Sequence, residues 1–287
     1  MQIKGDQPES WDIVIKSKAS PFEFDFSQLW HYRDLLVLMV KRNYAASFHQ
    51  TILGPIWFFV QPLLSTLVYI FIFGKVAKID IGTTEPVLFY FGSITLWTFF
   101  SSGLTVASTT FISNSNLFGK VYFPRLIVPL AAQVSNLLKL GVQMMLLMVF
   151  MIYFGVTKPG SINISFSILF LPFILVLVSF LSLGLGMIIS GLTTKYRDLS
   201  YLVSFGVQLL MYSTPVIYPI SFLSGNLSAT LFYNPLTAIF ESYRLILFGH
   251  GDFTMSGLIY SVVFTLIIFM IGLIVFNRTE KKFIDTV

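Results

Sequence analysis

The sequence predicts an all-α integral membrane protein: six transmembrane helices, an N-terminal amphipathic interface helix, and short re-entrant helices between spans 5 and 6. Three observations lead there. Of 287 residues, 55% are apolar and only 11% are charged, whereas soluble domains carry about a quarter charged residues. Six apolar stretches reach the roughly 20 residues that a helix rising 1.5 Å per residue needs to cross a 30 Å hydrocarbon layer. The remaining charges concentrate between those stretches. A water-soluble enzyme is excluded by this composition. With no Cys, neither a disulfide framework nor a thiolate metal site can form.

Residues 1–26 are a polar extension without the apolar core of a cleavable signal, so the first span itself is expected to direct insertion. Trp11, Ile13 and Ile15 alternate in it without an assignable role. Within residues 27–50, Leu29, Tyr32, Leu36, Met39 and Val40 fall on one helical stripe, with Arg33, Lys41 and Arg42 interspersed. That pattern is expected of a helix lying on the cytoplasmic leaflet. The six-span domain, 51–287, follows. Its spans are placed near Ile56–Gly74, Val87–Ser108, Asn136–Val156, Phe166–Gly191, Leu199–Ile217 and Met255–Phe276.

An even number of spans puts both termini on one side. That side, with the second and fourth loops, holds 13 Lys and Arg against 4 on the other, so it is expected to be the cytoplasm. The same rule explains the net charge of +5 without any nucleic acid.

Two segments depart from simple up-and-down crossing. The apolar run from Arg125 to Val156 is about 32 residues, roughly 48 Å as helix, so the third helix should project into the cytoplasm. The fifth span is interrupted at Thr214-Pro215 and Pro219, and residues 235–248 are too apolar for a free loop. Leu236, Ile239, Phe240, Tyr243 and Leu247 recur there at helical spacing. One or two re-entrant or interfacial helices are expected, which survive only against protein or a watery cavity.

Missing residue types limit the mechanism. From Pro86 to Arg197 there is no Asp or Glu, and His31, His49 and His250 all lie outside the expected spans. Proton coupling needs a titratable group inside the membrane, and acid–base chemistry needs a positioned pair. No G-x-x-x-x-G-K-[ST] phosphate loop is present either. Uphill transport would therefore draw its energy from another subunit.

The stretch Ser113–Arg125 then becomes a candidate docking element, with Pro124 suited to a helix start. Lys120 and Arg125 serve either as positive-inside anchors or as partners for acidic groups on another chain. Trp57, Phe58, Phe59, Tyr90, Phe91, Trp97, Phe99 and Phe100 either pack in and around the helices or line a conduit. Lys139, the sole charge of the third span, either snorkels to headgroups or binds an anionic ligand. Arg33, Lys41 and Arg42 suit anionic lipid headgroups at an entrance. Glu241 and Arg244, spaced i to i+3, read as a local helix pair.

In order along the chain, Arg33-Asp34, Lys41-Arg42-Asn43-Tyr44, Leu53-Gly54-Pro55-Ile56-Trp57, Gln61-Pro62, Lys120-Val121-Tyr122-Phe123-Pro124-Arg125, Pro129-Leu130, Tyr196-Arg197-Asp198, Thr214-Pro215-Val216-Ile217-Tyr218-Pro219 and Asn234-Pro235-Leu236 resemble the permease subunit of type-2 ABC exporters for polysaccharides. That family moves O-antigen, capsule and teichoic acid glycans. The resemblance spans residues 27 to 282 and implies a homodimer with two copies of a separate ABC ATP-binding subunit, which would bind ATP and Mg; this chain itself would hold no cofactor. It also implies a lipid-linked polysaccharide crossing the bacterial inner membrane through a pore between the permease copies. Asn114, Lys120, Phe123, Pro124 and Arg125 would belong to the ATPase-coupling loop. Tyr218, Pro219, Asn234, Pro235, Glu241 and Arg244 would belong to an outer gate of two short helices, about Pro219–Phe232 and Pro235–Phe248. The rivals are an exporter of drugs or lipids with the same topology, and a polytopic glycosyl- or acyltransferase. The latter would need one of Asp34, Asp80, Glu85, Asp198, Glu241, Asp252 or the histidines as an essential group.

Overall fold

The structure, a computed structural model, describes residues 26–47, 49–82, 84–158, 166–223 and 230–284. The polar N-terminal extension and much of the first expected gate helix lie outside them. The described residues are helical without strands. In order they form α1 (Phe26–His31), α2 (Arg33–Ala46), α3 (Gly54–Val76), α4 (Pro86–Ser108), the one-turn helices α5 (Thr110–Ser113) and α6 (Ser115–Phe118), α7 (Ile127–Thr157), α8 (Phe166–Thr193), α9 (Leu199–Tyr212), α10 (Pro235–Phe248) and α11 (Met255–Ile284).

Among the described residues, five helices are long and apolar enough to cross a membrane: α3, α4, α7, α8 and α11. The expected fifth span, Leu199–Ile217, is helical only to Tyr212, about 21 Å at 1.5 Å per residue. Pro215 and Pro219 explain the early stop. Neither can donate a backbone N–H, and proline restricts the residue before it to extended conformations. The overlong third helix is present as expected: α7 runs 31 residues.

α4 is the axis of the bundle. It is 78% buried, against 11% for the outward α3, and it packs on α3, α7, α8 and α9. The largest core cluster gathers Tyr90, Phe91, Leu96 and Phe100 of α4 with Leu147 of α7, Val178 of α8 and Phe240 and Tyr243 of α10. α8 and α11 meet where Gly184 faces Gly272. A Cβ on Gly184 would stand 2.8 Å from the Phe269 Cα, so the backbones approach to a distance that only small residues allow.

A second cluster closes the end that carries the N-terminal helices and the last turns of α11. It joins Met39 and Val40 of α2 with Phe111, Phe118, Phe123, Ile127 and Phe276. The periodic stripe read from the sequence is the one that packs, since Leu29, Tyr32 and Leu36 also lie against this cluster. The amphipathic segment is broken at Tyr32 and seated along α7. The Ser135 hydroxyl donates to the Val40 carbonyl at 3.4 Å. Arg33, Lys41 and Arg42 stay exposed on its outer side.

Candidate functional site

Three places gather the residues singled out from the sequence. The first is the segment between α4 and α7. Asn114 separates α5 from α6, and its side-chain amide donates to the Thr110 carbonyl at 2.9 Å. Lys120 and Tyr122 are exposed, while Phe123 and Arg125 turn inward. Pro124 does not open the helix as expected. It lies three residues ahead, and its carbonyl accepts the Ile127 N–H at 3.0 Å. Arg125 is a correction to the picture of two cations offered together on a loop. It is 7% exposed, stacks over the Phe118 ring at 5.1 Å and donates from Nη1 to the Glu280 carbonyl at 3.1 Å. The Arg125 backbone N–H donates to Glu280 Oε1 at 3.3 Å. Burial pulls its guanidinium below the usual arginine range and the Glu280 carboxylate partly restores it. The segment is thus tied to the last turns of α11, and Lys120 is the cation it leaves on the surface.

The second place is at the other end of α4, where α10 folds back into the bundle. Asn234 caps α10: its Oδ1 accepts the Leu236 N–H at 3.0 Å, and its Nδ2 donates to the Ser213 carbonyl and the Thr214 hydroxyl at 2.9 and 3.0 Å. Pro235 takes the first helical position, and its carbonyl accepts the Ser261 hydroxyl at 2.7 Å. Gly249 ends the helix at φ 76°, with its N–H on Leu245. This is the left-handed conformation that glycine adopts freely.

Glu241 and Arg244 are more than a local pair. They are 2% and 3% exposed and 2.6 Å apart. Arg244 also lies over the Phe89 ring at 4.3 Å, and donates to the Ser93 hydroxyl at 3.3 Å and to the Pro215 carbonyl. Glu241 Oε2 accepts the Asp252 N–H at 3.1 Å. The spacing of the two prolines explains one of these contacts. A continuing helix would offer the Pro215 carbonyl the N–H of residue 219, but that residue is also proline, so a side chain must serve instead. One ion pair thereby joins α4, the break after α9, α10 and the turn before α11. Tyr218 donates to the Tyr212 carbonyl at 2.9 Å and Pro219 is buried beside it. Of the expected first gate helix, the described residues keep one 3-10 turn, Ile220–Phe222, and the helical residues Thr230 and Leu231.

The third place is an open cleft of about 330 Å³ between α3, α4 and α7. α3 contributes Trp57, Phe58, Gln61, Pro62 and Ser65; α4 contributes Ile94, Thr98, Phe99 and Ser102. α7 contributes Asn136, Lys139, Leu140 and Gln143, and Ser47 at the end of α2 closes the set. Here too a proline shapes the wall. Pro62 cannot donate to the Phe58 carbonyl four residues before it, and Gln143 Nε2 does so across the interface at 3.2 Å. Lys139 turns toward α3, its ammonium 5.8 Å from the Phe58 ring centroid.

The aromatic candidates divide accordingly. Trp57 and Phe58 line the cleft and Phe99 reaches it from the core cluster, whereas Tyr90, Phe91, Trp97 and Phe100 pack into the core of the single chain. Trp97 sits 5.5 Å from Phe100 and 6.5 Å from Phe240, and Phe91 lies 5.7 Å from Phe150. Sequence reading missed Gln61, Asn136 and Gln143 as companions of Lys139. A signal was available: amides are scarce in hydrocarbon, and three of them occur in spans that also carry Pro62 and Lys139.

Comparison with known proteins adds a family to this geometry. The sequence model of the ABC-2 type transporter family matches residues 34–248. An O-antigen export system permease protein, RfbA of Klebsiella pneumoniae, is 28% identical over 258 residues, covering 88% of this chain and 94% of that protein. An RfbA permease of Myxococcus xanthus is 28% identical over 225 residues, 78% of this chain and 84% of its own length.

Proposed function

Since the chain belongs to the ABC-2 type transporter family, we propose that it is the membrane subunit of an ATP-driven exporter of a lipid-linked polysaccharide resembling O antigen. In this reading two copies enclose the conduit, and two copies of a separate ABC subunit supply the site for ATP and Mg. The observation that carries it is the alignment of the O-antigen permeases over nearly the full length of both chains, with the matching stretches in order. The chain's own chemistry agrees, because no carboxylate lies between Pro86 and Arg197 to couple transport to protons.

The end holding α1, α2, α5 and α6 faces the cytoplasm of a bacterial inner membrane, by the 13 to 4 bias of Lys and Arg. The segment Asn114–Arg125 docks the ATPase. Lys120 offers the charge for that contact, and Arg125 passes the resulting motion to α11 through Glu280. α9 with residues 213–219 makes the sixth crossing: Arg244 bonds both the Pro215 carbonyl and Ser93, two turns into α4. Six crossings return both termini to the cytoplasm. α9 also keeps only Met211 buried, which leaves apolar surface on it for lipid and for a second copy. α10 and its ion pair form the outer gate.

The test is reconstitution in vesicles with and without an ABC ATPase subunit. Lipid-linked glycan should move only when the ATPase and ATP are both present. Uphill movement or chemical turnover by the chain alone would overturn the reading.

A further inference from the structure

Lys139 poses a chemical question that the fold leaves open. It stands 12 residues into α7, about 18 Å along the helix, level with the joint where α2 gives way to α3, since Ser47, Trp57 and Phe58 line the same cleft. That is the depth of lipid headgroups for a helix seated on the membrane surface. No carboxylate is paired with it among the described residues; its neighbour is the Phe58 ring. Beside it, Asn136 Nδ2 is buried and finds no acceptor. A cation without a carboxylate partner therefore looks onto a cleft walled by Gln61, Thr98 and the rings of Trp57, Phe58 and Phe99. An ammonium at headgroup depth suits a phosphate, while amides and hydroxyls next to aromatic faces suit sugar hydroxyls and C–H faces.

We propose that this cleft seats the phosphorylated, sugar-bearing headgroup of a membrane-anchored lipid, with its phosphate on Lys139 and its first sugar against Gln61, Trp57 and Phe58. The inference rests on the exporter reading and adds to it a place where cargo is held before it moves. Ordinary phospholipid headgroups share the phosphate and lack the glycosyl group, so the two sources are separable.

The chain has no cysteine, which makes Ser102→Cys a clean reporter inside the cleft. The permease–ATPase complex in nanodiscs would be labelled with a maleimide in the presence of polyprenyl pyrophosphoryl disaccharide, polyprenyl pyrophosphate or phosphatidylglycerol. The disaccharide lipid should slow labelling at least fivefold, the sugar-free pyrophosphate should need about tenfold more for the same protection, and phosphatidylglycerol should not protect. Adding Lys139→Gln should raise the concentration needed by tenfold or more, and Lys139→Arg should restore most of it. No protection, equal protection by phosphatidylglycerol or by the sugar-free lipid, or protection indifferent to Lys139→Gln would each overturn the proposal. ATP-dependent export is measured with the same wild-type complex. Its presence without protection sinks the cleft alone, and its absence sinks the exporter reading.

Discussion

Arg244 and Lys139 are both cations in apolar surroundings, on helices that pack against α4, yet the chain treats them in opposite ways. Around Arg244 it gathers Glu241, Ser93, the Pro215 carbonyl and the Phe89 ring, drawn from three separate parts of the sequence. Around Lys139 it places an aromatic ring, neutral amides and open space. A buried charge is costly unless it is paired, so the first arrangement holds the fold together. The second leaves a half-exposed charge for something outside the chain. Arg125 falls between them, partnered by Glu280 but set at the margin of the bundle.

The contrast can be broken by substitution. Glu241→Leu leaves Arg244 buried without its carboxylate and should cost about 3–5 kcal/mol, read as a fall in thermal unfolding midpoint of the purified chain. The double variant Glu241→Leu with Arg244→Met should regain more than half of that loss. If the double variant is no better than the single one, the pair is not the unit that holds α10 in place.

Gly272→Val tests another contact made wholly within the chain. Its added carbons would meet the Gly184 backbone, where even a Cβ stands 3.0 Å from the Gly184 Cα. Overpacking of this kind costs about 1–3 kcal/mol, and a smaller loss at Gly141, which has open space around it, sharpens the point.

Arg125→Gln removes the guanidinium's bond to the Glu280 carbonyl and its contact with the Phe118 ring, leaves the Glu280 carboxylate without that cation, and should cost about 1.5–3 kcal/mol. It should also reduce the stimulation of the ATPase by cargo, while Lys120→Glu should weaken ATPase association without a change in unfolding midpoint. Lys139→Gln is expected to have the smallest effect on stability, within about 0.5 kcal/mol of wild type as for other substitutions that break no internal partner, while lowering export rate. A large fall in stability would place Lys139 with Arg244.

Part of this division was legible in the residues alone. The stripe Leu29, Tyr32, Leu36, Met39 and Val40 announced the packed face of α1 and α2 because helical periodicity is a local property. The apolar run beyond Arg125 announced an overlong α7, and Leu236, Ile239, Phe240, Tyr243 and Leu247 announced α10 through the same periodicity. The aromatic residues of α4 were another matter. Their type suits a core, a lipid face or a conduit equally, and Tyr90, Phe91, Trp97 and Phe100 took the core because α4 lies at the centre of the bundle. The early end of α9 was half legible, since Pro215 marked a break but not that helix would cease at Tyr212.

Composition, spacing and proline placement by themselves determined a helical membrane protein and the places of its five long apolar helices, because hydrocarbon thickness and backbone hydrogen bonding act on each segment alone. Tertiary structure alone decided which charge is answered. Gln143 reaches the Phe58 carbonyl across 85 residues, Arg125 reaches Glu280 across 155 and Arg244 reaches Ser93 across 151. Such partners are chosen by which helices touch, and no local pattern contains that information.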